Sequence, residues 1–359
     1  MRVITVLGTR PEIIRLSLII KKLDQLNDHI LIHTGQNYDS RLSNIFFEEL
    51  ELRQPDYYLG AKATSFGEQI SIIMREIEKL FFKLKPNKVL ILGDTNSGLS
   101  AIIAERMLIP VYHMEAGNRC YDLKVPEEKN RKIIDSISTI AIPYTPNSKE
   151  NLLKEGIPKN KIFVSGNPIY EVLMSYMNKI EKSNILDVLN LKKQEYFLVT
   201  AHRAENVDFK ERLEIIVKGL ELVANEYNLP IICSVHPRTK QRLDEFNIQI
   251  NNKNIKLMEP FGFLDFVKLE KNAKLVLTDS GTVQEECCIF RIPTVTIRDS
   301  TERPETVECG SNIISSINSE KILNCTKIML SNKSQWLFPI GYIDSNVSDK
   351  IVKYLNGVL

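Results

Sequence analysis

The stretch Lys274-Leu-Val-Leu-Thr278-Asp279-Ser280-Gly281-Thr282-Val283-Gln284-Glu285-Glu286 decides how the chain is read. Its apolar run 275–277 is short and bounded, as in a strand covered on both faces. A Ser-Gly turn follows, then a helix. Ser280 or Asp279 suits the helix cap, and Gly281 lets a ligand come close to the backbone. Unpaired N–H groups and the helix dipole at such a start favour an anion, and a phosphate fits best. Glu285 and Glu286 sit one turn further in, within reach of a hydroxyl donor such as ribose. By itself the stretch reads equally as a plain strand–helix corner with an acidic turn, so the rest of the chain has to decide.

The same rhythm recurs on both sides of it. Val3–Leu7, His29–His33, Lys88–Leu92 and Val111–Met114 read as strands, with further strands near 139–142 and 161–165. Glu195–Thr200, Pro230–Val235, 274–278 and Thr294–Ile297 repeat the pattern, with helical periodicity between them. This βα alternation predicts an α/β chain of two doubly wound parallel sheets. Residues 1–178 and 179–345 form the expected domains. The lysine-rich region around Asn184 is the hinge about which they open and close. A helix at 346–359 packs back on the first domain.

Composition removes several function classes. With 359 residues and 43% hydrophobic content, each half can bury its own core. Lys and Arg total 47 against 45 for Asp and Glu, so no basic field points to nucleic acid. No apolar run approaches the roughly 20 residues of a bilayer span. The N-terminus reads as a strand, too short for a signal peptide core. The six cysteines show no CxxC spacing and read as reduced thiols in a cytoplasmic protein. Neither GxGxxG nor GxxxxGK[ST] occurs, so nicotinamide and P-loop chemistry have no support.

The polar motifs carry the argument further. Gly-Thr-Arg-Pro-Glu, Gly-Asp-Thr, Glu-Ala-Gly, Pro-Glu-Glu, His-Arg, His-Pro-Arg, Asp-Ser-Gly and Arg-Asp each follow a predicted strand. They gather outside the carboxyl ends of the sheets, where open α/β proteins bind ligands.

In their order along the chain, these segments resemble the non-hydrolysing UDP-N-acetylglucosamine 2-epimerases. The carriers are Gly8-Thr-Arg-Pro-Glu12, Gly93-Asp-Thr95, His113-Met-Glu-Ala-Gly117, Pro126-Glu-Glu-Lys-Asn-Arg131, Ala201-His-Arg203, Asp279-Ser-Gly281 and Thr301-Glu-Arg-Pro-Glu305. The resemblance implies two Rossmann-like domains facing a cleft (a glycosyltransferase-B-like fold). It also implies a homodimer and chemistry without metal or redox cofactor, on a UDP-N-acetylhexosamine. UDP is eliminated to a bound 2-acetamidoglycal and then added back, with the proton delivered to the opposite face.

By this likeness Asp94, Glu115 and Glu127 are catalytic, with His202. Arg10, Arg15, His202 and the Ser280-Gly281-Thr282 turn hold or protonate the leaving phosphate. His236, Ser280, Glu286 and Arg298 hold UDP, with Glu286 on the ribose. Each also has a structural reading. Asp94 suits a helix cap, Glu127 suits an acidic first turn, and the histidines suit satisfied positions. His29 and His33 read as structural.

Three rivals follow from the same residues. A glycosyltransferase of this fold needs one base and an acceptor groove. A hydrolysing epimerase would release free UDP, and a sensor would not turn over.

Two departures bear on the substrate. Thr282 stands where the family's commonest form has a second Gly, and the span between Glu115 and Glu127 is shorter than usual, with Asn118 in place of Leu. Ile13–Ser17, His33–Asp39, Gly117–Cys120, Val125–Glu128 and Gly281–Cys288 look like the branch acting on UDP-2-acetamido-2,6-dideoxy-L-talose, in capsule and O-antigen synthesis. That branch implies UDP-N-acetyl-L-fucosamine as product.

Overall fold

A computed structural model of the chain describes residues 1–36, 40–63, 65–331 and 335–357, with side chains throughout except at 40–43. Asn37, Tyr38 and Asp39 of the His33–Asp39 stretch lie outside the described residues. The chain forms two compact units, residues 1–175 with 340–359, and residues 176–339. Asn184 therefore lies within the second unit.

The first unit holds strands β1 (Arg2–Leu7), β2 (Asp28–His33), β3 (Tyr57–Tyr58), β4 (Lys88–Leu92), β5 (Val111–Met114) and β6 (Ile140–Ile142). They form one parallel sheet in the order β3-β2-β1-β4-β5-β6. The second unit holds β7 (Phe197–Thr200), β8 (Ile231–Ser234), β9 (Ile255–Met258), β10 (Leu275–Thr278), β11 (Thr294–Thr296) and β12 (Asn312–Ile314). Their order is β12-β11-β10-β7-β8-β9, again parallel throughout. Counted within each unit, both sheets run 3-2-1-4-5-6, the doubly wound order. Its direction reverses between β1 and β4 and between β7 and β10, and this is where such sheets bind ligands.

Burial explains why the strands read as they did. Leu275, Val276 and Leu277 are fully buried, because helices cover both faces. Expected strands match β1, β2, β4 to β8, β10 and β11 closely. No strand forms over 161–165, where only Ile162 makes an isolated bridge to Ala141. After β7 a short helix, Ala204–Val207, precedes the long helix Lys210–Tyr227. The last helix, Val347–Asn356, packs on Arg10–Leu26 within the first unit, where Lys22 Nζ lies 2.5 Å from Asp349 and Tyr354 stacks on Phe163 at 4.1 Å. Among the described residues, no helix is long and apolar enough to cross a membrane.

One buried carboxylate fixes the loop after β5. Asp135, in the helix Pro126–Ile137, is 1% exposed. His113 Nδ1 lies 2.8 Å from its Oδ1, the Gly117 N–H donates to Oδ2 at 3.0 Å, and Arg119 Nη2 lies 2.7 Å away. His113 Nε2 meanwhile reaches the Gly93 carbonyl at 2.9 Å, which ties the β4 loop to the β5 loop. Gly117 itself has φ +79°, and a Cβ there would lie 2.1 Å from the Ser148 carbonyl oxygen, so both conformation and space require glycine.

Burial by itself would raise the Asp135 pKa, but the bonds from His113 and Arg119 overcome it and hold the carboxyl below its ordinary value. A depressed carboxylate pKa gives stability that is present above the unfolded value of about 3.9 and is lost as pH falls through the folded one. Asp135→Asn should therefore cost about 3–5 kcal/mol at pH 7, the range for breaking a buried ion pair. That deficit should shrink below pH 4. Urea titrations of both proteins from pH 3 to 7 measure it, and a gap that does not change with pH would refute the account.

Candidate active site

In the first unit the expected residues stand on the loops after β1, β4 and β5 and at the start of the next helix. Glu12 organises the first two loops. It is 1% exposed, and its Oε2 accepts from the Gly8 N–H (2.9 Å), the Thr9 N–H (2.7 Å) and Thr9 Oγ1 (2.8 Å). Its Oε1 accepts from Thr95 Oγ1 at 2.8 Å, next to Asp94. Burial pushes its pKa up to about 7 against these donors. Glu12 thus holds the Gly8–Glu12 and Gly93–Thr95 motifs in one register, on either side of the point where the sheet order reverses.

Asp94 is held by Arg131, whose Nε and Nη2 both lie 2.7 Å from its Oδ2. Asn130 Nδ2 donates to the Asp94 carbonyl at 3.0 Å. Arg131 also reaches Glu128 at 2.6 Å, and Glu128 accepts the Cys120 and Tyr121 N–H groups at 3.1 Å each. Neighbouring glutamates are therefore sorted: Glu128 is fully buried and fastens the 118–125 loop, while Glu127 is half-buried in the first helical turn.

Glu115 lies directly after β5 with φ +66°, a left-handed conformation that costs a non-glycine residue of order 1–3 kcal/mol. Its partner is Arg15, which is 1% exposed and pairs with it, and the guanidinium carbon sits 5.9 Å from the Tyr144 ring centre. The structure thus pairs Arg15, expected at the phosphate, with Glu115, expected among the catalytic carboxylates. Arg10 is half-buried, its guanidinium 5.8 Å from the Phe46 ring centre.

Asn118, noted as a departure from the family, is buried and accepts from Ser148 Oγ at 2.8 Å. Arg119 donates to Glu155 at 2.8 and 2.5 Å. Both are packing residues. Tyr121, Leu123 and Lys124 are the exposed members of that loop.

In the second unit the residues again flank the reversal, between β7 and β10. Ser280 takes the cap position of the helix Gly281–Phe290, but its side chain makes no capping bond. Asp279 does not cap either. It is fully buried and accepts from the His202 N–H (2.9 Å), the Arg203 N–H (2.9 Å) and Asn206 Nδ2 (3.1 Å). The turn after β10 is thereby fixed to the loop after β7. His202 is 37% exposed, its Nδ1 lies 3.5 Å from Asp279, and its ring centre is 6.4 Å from that of His236. His236 caps the helix Pro237–Glu245, accepting the Arg238 N–H at 3.3 Å.

Gly281 was expected to admit a ligand. In the structure the group pressed against it is Glu302: a Cβ at 281 would lie 2.6 Å from Glu302 Oε1. Glu302 also pairs with Arg298 (2.7 Å) and Arg203 (3.1 Å), and Arg298 lies 3.5 Å from Glu205. Arg298 is thus a buried, ion-paired residue. Arg303 pairs with Glu285 at 2.6 Å. Thr282 is half-buried and Glu286 is 3% exposed. Gln284 accepts from Thr301 Oγ1 (2.7 Å) and Asn312 Nδ2 (3.2 Å), so it braces the Thr301–Glu305 loop.

Sequence reasoning did not assign Glu12, Glu128, Arg131 or Glu302, although all four stand inside the motifs that carry the resemblance. It also missed Asp135 and Gln284, for which no spacing signal exists.

Known proteins share this fold. The family described as UDP-N-acetylglucosamine 2-epimerase matches residues 21–356. A UDP-N-acetylglucosamine 2-epimerase of Methanocaldococcus jannaschii is 47% identical over 99% of both chains. The crystal structure of the Methanocaldococcus jannaschii UDP-GlcNAc 2-epimerase in complex with UDP-GlcNAc and UDP superposes with a TM-score of 0.94, at 47% identity over 99% of both chains. A UDP-2,3-diacetamido-2,3-dideoxy-D-glucuronate 2-epimerase of Pseudomonas aeruginosa is 33% identical over 98% of this chain and 100% of that one. With two doubly wound sheets of this order, and with its polar motifs on their strand-end loops, the chain belongs to the UDP-N-acetylglucosamine 2-epimerase family, isomerases that act on nucleotide sugars.

Proposed function

We propose that the protein inverts C2 of UDP-N-acetylglucosamine to give UDP-N-acetylmannosamine, by elimination and re-addition of UDP. The observation that carries the mechanism is the set of three carboxylates, Asp94, Glu115 and Glu127, on strand-end loops and a helix start of one unit. Arg131 fixes the first and Arg15 the second.

The C2 proton of the sugar is not acidic, because no carbonyl adjoins it. A base removes it as the C1–O bond breaks, its electrons form the C1=C2 double bond, and UDP departs as an anion. For re-addition the UDP oxygen attacks C1, and an acid delivers a proton to the other face of C2. Acid and base must therefore serve two faces, and more than one carboxylate meets that need.

The second unit supplies the anion site in this reading. Ser280, Gly281 and Thr282 offer the N–H groups of a helix start and two hydroxyls to the diphosphate. His202, 37% exposed, is the proton donor to the leaving oxygen. Glu286 accepts the ribose hydroxyls, and His236 borders the same site. Arg298 acts through Glu302, keeping the Gly281 turn in place. Arg10 is the phosphate-binding arginine of the first unit.

Asp94→Asn, Glu115→Gln and Glu127→Gln should each leave UDP affinity nearly intact by calorimetry and lower turnover about 100-fold or more, the scale of lost acid–base catalysis. Wild-type turnover in deuterated water should place deuterium at C2 of the product. Near-normal turnover in any one variant returns that residue to a structural role, and product without deuterium removes the proton-transfer mechanism.

The 47% identical relative supports N-acetylglucosamine as the sugar. A second reading, favoured by the sequence of the short 118–126 loop, is UDP-2-acetamido-2,6-dideoxy-L-talose converted to UDP-N-acetyl-L-fucosamine. The buried roles of Asn118 and Arg119 weaken it, because they account for that loop by packing. The kcat/KM values for both sugars on one preparation decide. We expect UDP-N-acetylglucosamine to lead, and a lead for the 6-deoxy sugar would overturn that choice. An apolar pocket rejects an added hydroxyl only about 100-fold, so low activity on the second substrate is compatible with either outcome.

A further inference from the structure

A second carboxyl group stands against Glu286. Glu270 lies in the last turn of the helix Phe263–Asn272, which packs on the helix Gly281–Phe290 that carries Glu286. Glu270 is 0% and Glu286 3% exposed, and the two side chains are within hydrogen-bonding reach of each other. Two adjacent buried carboxyls do not both ionise. No Lys or Arg pairs with Glu270 among the described residues.

Its surroundings indicate which one keeps the proton. Cys287 Sγ lies 3.9 Å from Glu270 Oε1, and the Tyr196 hydroxyl donates elsewhere, to the Leu269 carbonyl at 2.5 Å. As a carboxylate, Glu270 would leave Oε2 buried without a donor. As an acid, Oε2 carries a proton and Glu286 is its acceptor. Burial, and then the charge of Glu286, push the Glu270 pKa well above the usual range.

We infer that Glu270 is a positioning residue, a neutral carboxylic acid whose O–H donates to Glu286 and holds that carboxylate oriented for the ribose hydroxyls of a uridine nucleotide. The inference rests on the reading above that Glu286 accepts those hydroxyls. One proton thereby satisfies two buried oxygens and leaves a single negative charge at the ribose.

Calorimetry with UDP and with 2′,3′-dideoxy-UDP tests it on the full chain carrying Glu270→Gln, Glu270→Met or Glu286→Ala. Glu286→Ala should lose affinity for UDP and not for the dideoxy analogue. Glu270→Met should weaken UDP about tenfold or more, the scale of a hydrogen bond to a charged group, and leave the analogue unchanged. Glu270→Gln places an amide N–H where the acid O–H was and should bind UDP like the wild type. Wild-type UDP binding by Glu286→Ala overturns the ribose reading itself. If Glu286→Ala is weakened, three results overturn only the role of Glu270: wild-type UDP binding by Glu270→Met, equal loss of both ligands in it, or Glu270→Gln behaving like Glu270→Met.

Discussion

The loops at the carboxyl ends of these strands have no regular structure, so their backbone N–H groups need acceptors from elsewhere. Buried carboxylates supply them. Glu12 takes the N–H groups of Gly8 and Thr9, Asp135 that of Gly117, Glu128 those of Cys120 and Tyr121, and Asp279 those of His202 and Arg203. An unmet buried N–H costs about as much as a lost hydrogen bond, so these acids are obligatory once the loops carry exposed function. Some acidic residues in the motifs are thus consumed by the backbone, while others, Asp94, Glu115, Glu285 and Glu302 among them, pair with arginines.

That division explains what was legible in the sequence. The α/β alternation and both parallel sheets were legible, because a strand covered on both faces is a bounded apolar run and each is followed by a polar loop. β3, β9 and β12 were not. Tyr57–Tyr58 spans two residues, Asn312–Ile314 three, and Ile255–Met258 exposes Lys256 and Leu257, so none carries a buried run. All three lie towards a sheet edge. The segment 161–165 has the residues of a strand and forms none. It gains only one bridge, beside β6.

At the site, motif order located the loops, but spacing does not tell adjacent residues apart. Glu127 and Glu128 are equivalent as letters. Only the fold shows that Glu128 is buried beneath the Cys120 turn. Gly281 is similar: a glycine at a strand–helix turn implies close approach of something, and the structure shows that Glu302 approaches it. The family likeness placed Arg15 at a phosphate, and only the structure shows that this buried guanidinium pairs with Glu115.

The pairing of Arg15 with Glu115 has a further consequence. A residue in a left-handed backbone conformation persists only where its surroundings enforce it. Around Glu115 they do so from two directions. Asp135 holds the Gly117 N–H just beyond it, and β5 holds Met114 just before it in register with Leu92 and Ile142. The backbone is thus fixed on both sides of the residue, and Arg15 fixes the side chain. Glu115 has few ways to relax, so its carboxylate keeps one position in the unit. A group that exchanges a proton with carbon benefits from this constraint, because proton transfer falls off steeply once donor and acceptor lose alignment.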